Sequence, residues 1–151
     1  MKKLGFLFLA LFLISGVKYS LKIPTLAKAP DRLSIYEKAE IVTGTSSAIL
    51  KGIAYAESSY RAAAAHPDPL DRGLFGLHES AAYHKERAAK WGEYDADNPQ
   101  EAAIIAGMLF QENLRILGRE DLAIAAHYQG PTGVKKRGPC GWYIGRVKGY
   151  E

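Results

Sequence analysis

Apolar positions along this chain recur mostly at three- and four-residue spacing, the period of a helix with one buried face. Within Ser46–Tyr60 (SSAILKGIAYAESSY), Ile49, Ile53 and Glu57 fall every fourth residue, on one side of a predicted helix. Before it, Ser34-Ile35-Tyr36-Glu37 has the form of a capping box, opening a helix that runs to about Thr43 and stops at Gly44. Thr45 or Ser46 then caps the Glu57 helix. Residues 61–78 hold two Pro and two Gly and predict a loop, with room for a short hairpin around Leu74–Leu77. Glu79–Trp91 reads as a helix with a mixed face, ended by Gly92. Asn98-Pro99 starts the next, and Ala103, Gly107, Phe110, Leu114 and Leu117 mark its apolar stripe up to Gly118. Ile104, Ile105, Met108 and Leu109 widen that stripe, so this helix is expected at the centre of the fold, with another helix close to Gly107. Asp121–Tyr128 predicts a short helix closed by Gly130-Pro131. Trp142–Tyr150 predicts a last short helix or turn with Tyr143, Ile144, Val147 and Tyr150 as its apolar set. The pattern gives a mainly α fold joined by one long loop.

Composition adds a compartment to this picture. The 151 residues suit one domain, and 48% hydrophobic content is enough for a core. Lys2 and Lys3 precede an uncharged apolar run from Leu4 to Val17. That run falls short of the about 20 residues of a bilayer span and suits the core of a secretory leader. Residues 1–29 are therefore read as a signal peptide or, if uncut, an N-terminal anchor, and residues 30–151 as the working domain. An exported protein of the periplasm or cell envelope is expected. Five of the 20 basic residues lie in residues 1–29, which hold no acid. The remainder carries 15 basic against 16 acidic side chains, so the basic pI of about 9.1 belongs mostly to the leader. That balance argues against nucleic acid as a partner. Cys140 is the only cysteine and forms no intrachain disulfide.

Candidate chemistry centres on Glu57. Glu is seldom buried without a role, and here it follows two apolar residues on the core face of its helix. Ser58, Ser59 and Tyr60 come next, so the acid falls in the last turn, where a core opens to solvent. An apolar surround and a helix C-terminus both disfavour the anion, and a neutral carboxyl can donate a proton as a general acid. The plain alternative is a half-exposed Glu on an ordinary amphipathic helix. His66, His78, His84 and His127 show no metal-ligand spacing, and neither a metal nor any other cofactor is expected.

Four segments stand in a telling order. They are Glu57-Ser58-Ser59-Tyr60, Gly73-Leu74-Phe75-Gly76-Leu77, Ala126-His127-Tyr128-Gln129-Gly130-Pro131 and Tyr143-Ile144. Together they resemble the lytic transglycosylase family of the lysozyme-like fold. Its signature is a catalytic Glu followed by Ser, a Gly-Leu-Met/Phe-Gln segment, Ala-Tyr-Asn-x-Gly-Pro and a late Tyr-Val pair. The resemblance covers about residues 45–150. The family's Gln falls on Gly76, its Tyr on His127 and its Asn on Tyr128, and Pro139-Cys140 stands where Glu-Thr is usual.

The resemblance implies an α+β lysozyme-like domain with a cleft for peptidoglycan glycan strands, working as a monomer. It implies that Glu57 is catalytic and that Ser58, Gly73, Leu74, Phe75, His127, Tyr128 and Tyr143 bind substrate. Ser58 would orient an N-acetyl group or Glu57 itself, and His127 would donate to sugar or to Glu57. The family cleaves the β-1,4 bond between N-acetylmuramic acid and N-acetylglucosamine with one Glu as acid and then base, leaving a 1,6-anhydro end. Two alternatives remain open at this point. A goose-type-like lysozyme would hydrolyse the same bond with help from Asp68 or Asp71, whose plain reading is as loop acids in a Pro-rich turn. A non-catalytic wall-binding or assembly protein would keep the fold with an altered pocket.

Overall fold

A computed structural model describes residues 33–149. The predicted leader and Tyr150 lie outside the described residues. Helix α1 (Ile35–Thr43) opens on Ser34, whose hydroxyl accepts from the Glu37 amide while Glu37 accepts from the Ser34 amide at 2.8 Å. Gly44, at φ +74°, ends it. Ser46 caps α2 (Ser47–Ser58) by accepting from the Ala48 amide. The buried face of α2 centres on Leu50, Ile53 and Ala54, so Ile49 is only half-buried at its edge. Without a glycine available, α2 stops on Ser59 and Tyr60, both left-handed at φ 51° and 65°.

The loop holds the expected short hairpin. Strand β1 (Asp71–Arg72) pairs antiparallel with β2 (Leu77–His78), with Asp71 opposite His78 and Arg72 opposite Leu77. Residues 73–76 therefore form the turn. Helix α3 (Ala81–Trp91) starts two residues later than the pattern predicted, because Ser80 serves as its cap and leaves Glu79 outside.

Helix α4 (Pro99–Leu117) is the centre of the fold. Asn98 accepts from the Gln100 and Glu101 amides, and Gly118 closes the helix. Ala102, Ala103, Ile104, Ile105, Ala106 and Phe110 are buried on it. Each large apolar side chain so buried contributes roughly 1.5–3 kcal/mol relative to exposure. The close neighbour expected at Gly107 is the end of α1. A Cβ at Gly107 would lie 2.5 Å from Thr43 Oγ1, and Thr45 donates to the Gly107 carbonyl at 2.9 Å.

Helix α5 (Glu120–Arg137) packs on α4 and consists of two segments that meet at a kink. The first ends where the sequence predicted, since Gly130, at φ 69° and ψ 157°, is not helical. Pro131 opens the second, a position where the missing proline amide costs no hydrogen bond. Helix α6 (Gly141–Lys148) closes against α2 and α5. Gly52 makes that closure possible, since a Cβ there would sit 2.3 Å from the Val147 carbonyl oxygen. No helix among the described residues is long and apolar enough to cross a membrane.

Candidate active site

The C-terminal turn of α2, the hairpin, α3, α4, the kink of α5 and the start of α6 surround one cleft of about 880 Å³. Glu57 lies in its wall, half-buried. Its two carboxylate oxygens are placed by different neighbours. Oε1 accepts a 2.5 Å hydrogen bond from the Tyr143 hydroxyl. Oε2 occupies the space beside Gly76, where a Cβ would come within 2.6 Å of it. The hairpin turn can press on the acid because residue 76 has no side chain and sits at φ +56°. Tyr143 is almost wholly buried. Burial, then the negative charge of Glu57, then the hydrogen bond to it hold the phenol well above its ordinary pKa. It therefore remains a proton donor to Glu57 across the working pH range.

The turn that carries Gly76 is fixed through its carbonyls. His66 Nε2 lies 2.8 Å from the Gly73 oxygen. The Ser58 hydroxyl lies 2.8 Å from the Leu74 oxygen and equally close to Ala54 O, with one hydrogen to serve both. His127 Nε2 lies 2.8 Å from the Phe75 oxygen. A carbonyl only accepts, so both histidines carry hydrogen on Nε2. Three side chains from three places thus hold three successive carbonyls. Leu74 and Phe75 themselves point into the core, at 4% and 0% exposure. At Gly73 a Cβ would meet the Ala96 oxygen at 2.0 Å.

The residues singled out in the sequence consequently separate into two groups. Glu57, His127, Tyr128 and Tyr143 line the cleft. Ser58, Gly73, Leu74 and Phe75 lie behind its wall and shape it. Ser58 bonds neither to Glu57 nor into the cleft, because its hydroxyl is buried against the two backbone oxygens. The hydrogen bond expected from His127 to Glu57 is replaced by the one to Phe75, and His127 Nδ1 is buried with no partner among the described residues. Tyr128 is 55% exposed at the rim, stacked on Tyr143. Among the lining residues that escaped the sequence reading are Trp142, which only its neighbour Tyr143 could have flagged, and Asn113, a buried amide on the α4 stripe.

The other carboxylates of the cleft are Asp68, Asp71, Glu86 and Glu112. Asp71 accepts from His78 Nδ1 at 2.9 Å, and Asp68 accepts from the Leu70 amide with the same histidine nitrogen 3.8 Å away. Glu86 and Glu112 both bind Lys90, at 2.8 and 2.9 Å. Asp68, Asp71 and His78 bring one potential metal-ligand atom each within 4.8 Å of one another. These three groups already satisfy one another and the local backbone. Next to them, Arg87 is buried between Glu79 (2.6 Å) and the Tyr94 hydroxyl (3.1 Å). Burial, then Glu79, pushes the Tyr94 phenol up to about 12.

A helical fold with a small hairpin and an acid at a helix end in the wall of a cleft defines a lysozyme-like protein. The family model of the transglycosylase SLT domain matches residues 34–138, and the chain belongs to this family of lysozyme-like lytic transglycosylases, whose substrate is peptidoglycan. Comparison with individual curated proteins finds no match.

Proposed function

We propose that the protein is a peptidoglycan lytic transglycosylase in which Glu57 is the only catalytic carboxylate. One observation carries this reading. Among the described residues, Glu57 is the cleft carboxylate that has neither a Lys, Arg or His nitrogen nor a backbone amide bound to it, whereas Asp68, Asp71, Glu86 and Glu112 are all so engaged. Glu57 protonates the glycosidic oxygen between N-acetylmuramic acid and N-acetylglucosamine, and the bond to the muramic C1 breaks. The same carboxylate then takes the proton from the muramic C6 hydroxyl as that oxygen closes on C1. The product is a 1,6-anhydro sugar, the acid is restored, and no water is consumed. A hydrolase of the two-carboxylate kind would need a second acid free to activate water. Asp68 and Asp71 are held in the local turn instead. Action on the wall places the work outside the cytoplasmic membrane, in keeping with the Lys2-Lys3 and Leu4–Val17 leader pattern.

Glu57→Gln keeps the shape of the side chain and removes its acid. Clearing of purified peptidoglycan is expected to slow by at least about a hundredfold. Clearing at the wild-type rate would overturn the proposal.

A further inference from the structure

We propose that Tyr128 and Trp142 form an aromatic subsite on the cleft rim that stacks against an N-acetylhexosamine ring of the glycan strand. This rests on the reading of the cleft as a glycan site. The two side chains come from different helices, α5 and α6, and are 55% and 59% exposed. Their ring centroids are 5.1 Å apart at 72°. Tyr143 lies against both, stacked on Tyr128 at 5.3 Å and 20° and edge-on to Trp142 at 5.7 Å and 84°. The hydroxyl of that same Tyr143 holds Glu57. The exposed pair is therefore set at a fixed distance from the acid by a ring packed between them.

A single exposed aromatic is ordinary, but two in contact on a concave wall form an apolar patch that a partner would cover. The wall around it selects the partner. Five carboxylates line the cleft against the cations Arg87 and Lys90, which disfavours a phosphate-bearing polymer. The lining also carries hydrogen-bonding side chains, Glu57, Asn113 and Gln129 among them, which a lipid chain would leave unpaired. A pyranose ring meets both demands, with C–H groups on its face for the aromatic rings and hydroxyl and acetamido groups at its edge for the polar wall.

The test uses the full chain carrying Glu57→Gln, so that the ligand is not turned over. Trp91→Phe is added, which leaves Trp142 as the only tryptophan of the two in the sequence. The probe is a tetramer of β-1,4-linked N-acetylglucosamine. Its binding is expected to change the Trp142 emission. Trp142→Ala and Tyr128→Ala are each expected to weaken affinity by roughly threefold to tenfold, while Trp142→Phe retains most of it. In the chain with Glu57 intact, Trp142→Ala is expected to raise KM with kcat little changed. Unaltered Trp142 emission on binding of the tetramer, together with affinities by titration calorimetry that neither alanine substitution changes, would overturn the subsite and leave the glycan reading standing. Failure of the tetramer to bind the intact rim would overturn the subsite as well. Digestion of peptidoglycan by the wild-type chain then decides separately whether the glycan reading survives.

Discussion

Glu57 is presented by contacts that look minor one at a time. Tyr143 gives it a hydrogen bond at 2.5 Å, and Gly76 gives it room. The glycine is a departure from the family pattern, in which Gln stands at this place. Here the missing side chain does more than subtract a hydrogen bond, because the vacated space is where Glu57 Oε2 sits. Tyr143→Phe removes only the hydroxyl from a buried ring. Hydrogen bonds to charged groups are worth roughly 1.5–3 kcal/mol, so wall digestion by the folded variant is expected to fall about tenfold or more and the melting temperature by several degrees. Equal rates for Tyr143→Phe and wild type would show that Glu57 is held by other means. Much of this was legible in the chain at the level of which residues to watch. An acid that continues the Ile49–Ile53 spacing marks the place where a core face meets solvent. What Ser58 and His127 do was not legible, because their partners are carbonyls whose directions depend on the conformation of the Gly73–Gly76 turn.

At the scale of elements, the helices followed from caps and spacing, and the misreadings fell where one residue type has two uses. Gly130-Pro131 does stop the helix before it, and the same Pro opens a further segment, packed through Val134, that the pattern did not predict. Ser80 caps α3, so Glu79, which the pattern placed in the helix, lies outside it. Glu79 is thereby freed to join hairpin to helix α3, accepting from Arg87 at 2.6 Å and from His84 Nδ1 at 2.6 Å. The hydrogen bond to Glu79 raises the His84 pKa above its ordinary 6.5, with Glu93 adding to it against the effect of burial. A raised histidine stabilises the fold fully below the unfolded pKa of about 6.5 and ceases to do so as pH rises through its folded value. The melting temperature is therefore expected to decline by a few degrees at most across that window, since the pair is partly exposed. His84→Gln should flatten that part of the profile. Parallel pH profiles for variant and wild type would show that the His84–Glu79 contact adds nothing to stability.

At the scale of the molecule, helices α2 to α6 and the two-stranded hairpin all line one cleft among the described residues, and α1 packs on α4 away from it. The charge of residues 30–151 is close to balanced, which suits a long neutral-to-anionic glycan better than a polyphosphate. In the proposed mechanism this cleft breaks the glycan with one carboxylate and no water. The decisive measurement is mass spectrometry of the muropeptides that the wild-type chain releases from purified peptidoglycan. Ends carrying 1,6-anhydro-N-acetylmuramic acid, one water lighter than the reducing sugar, are the expected product, and Glu57→Gln should release almost none. Reducing N-acetylmuramic acid ends as the main product would contradict the claim and make the enzyme a hydrolase.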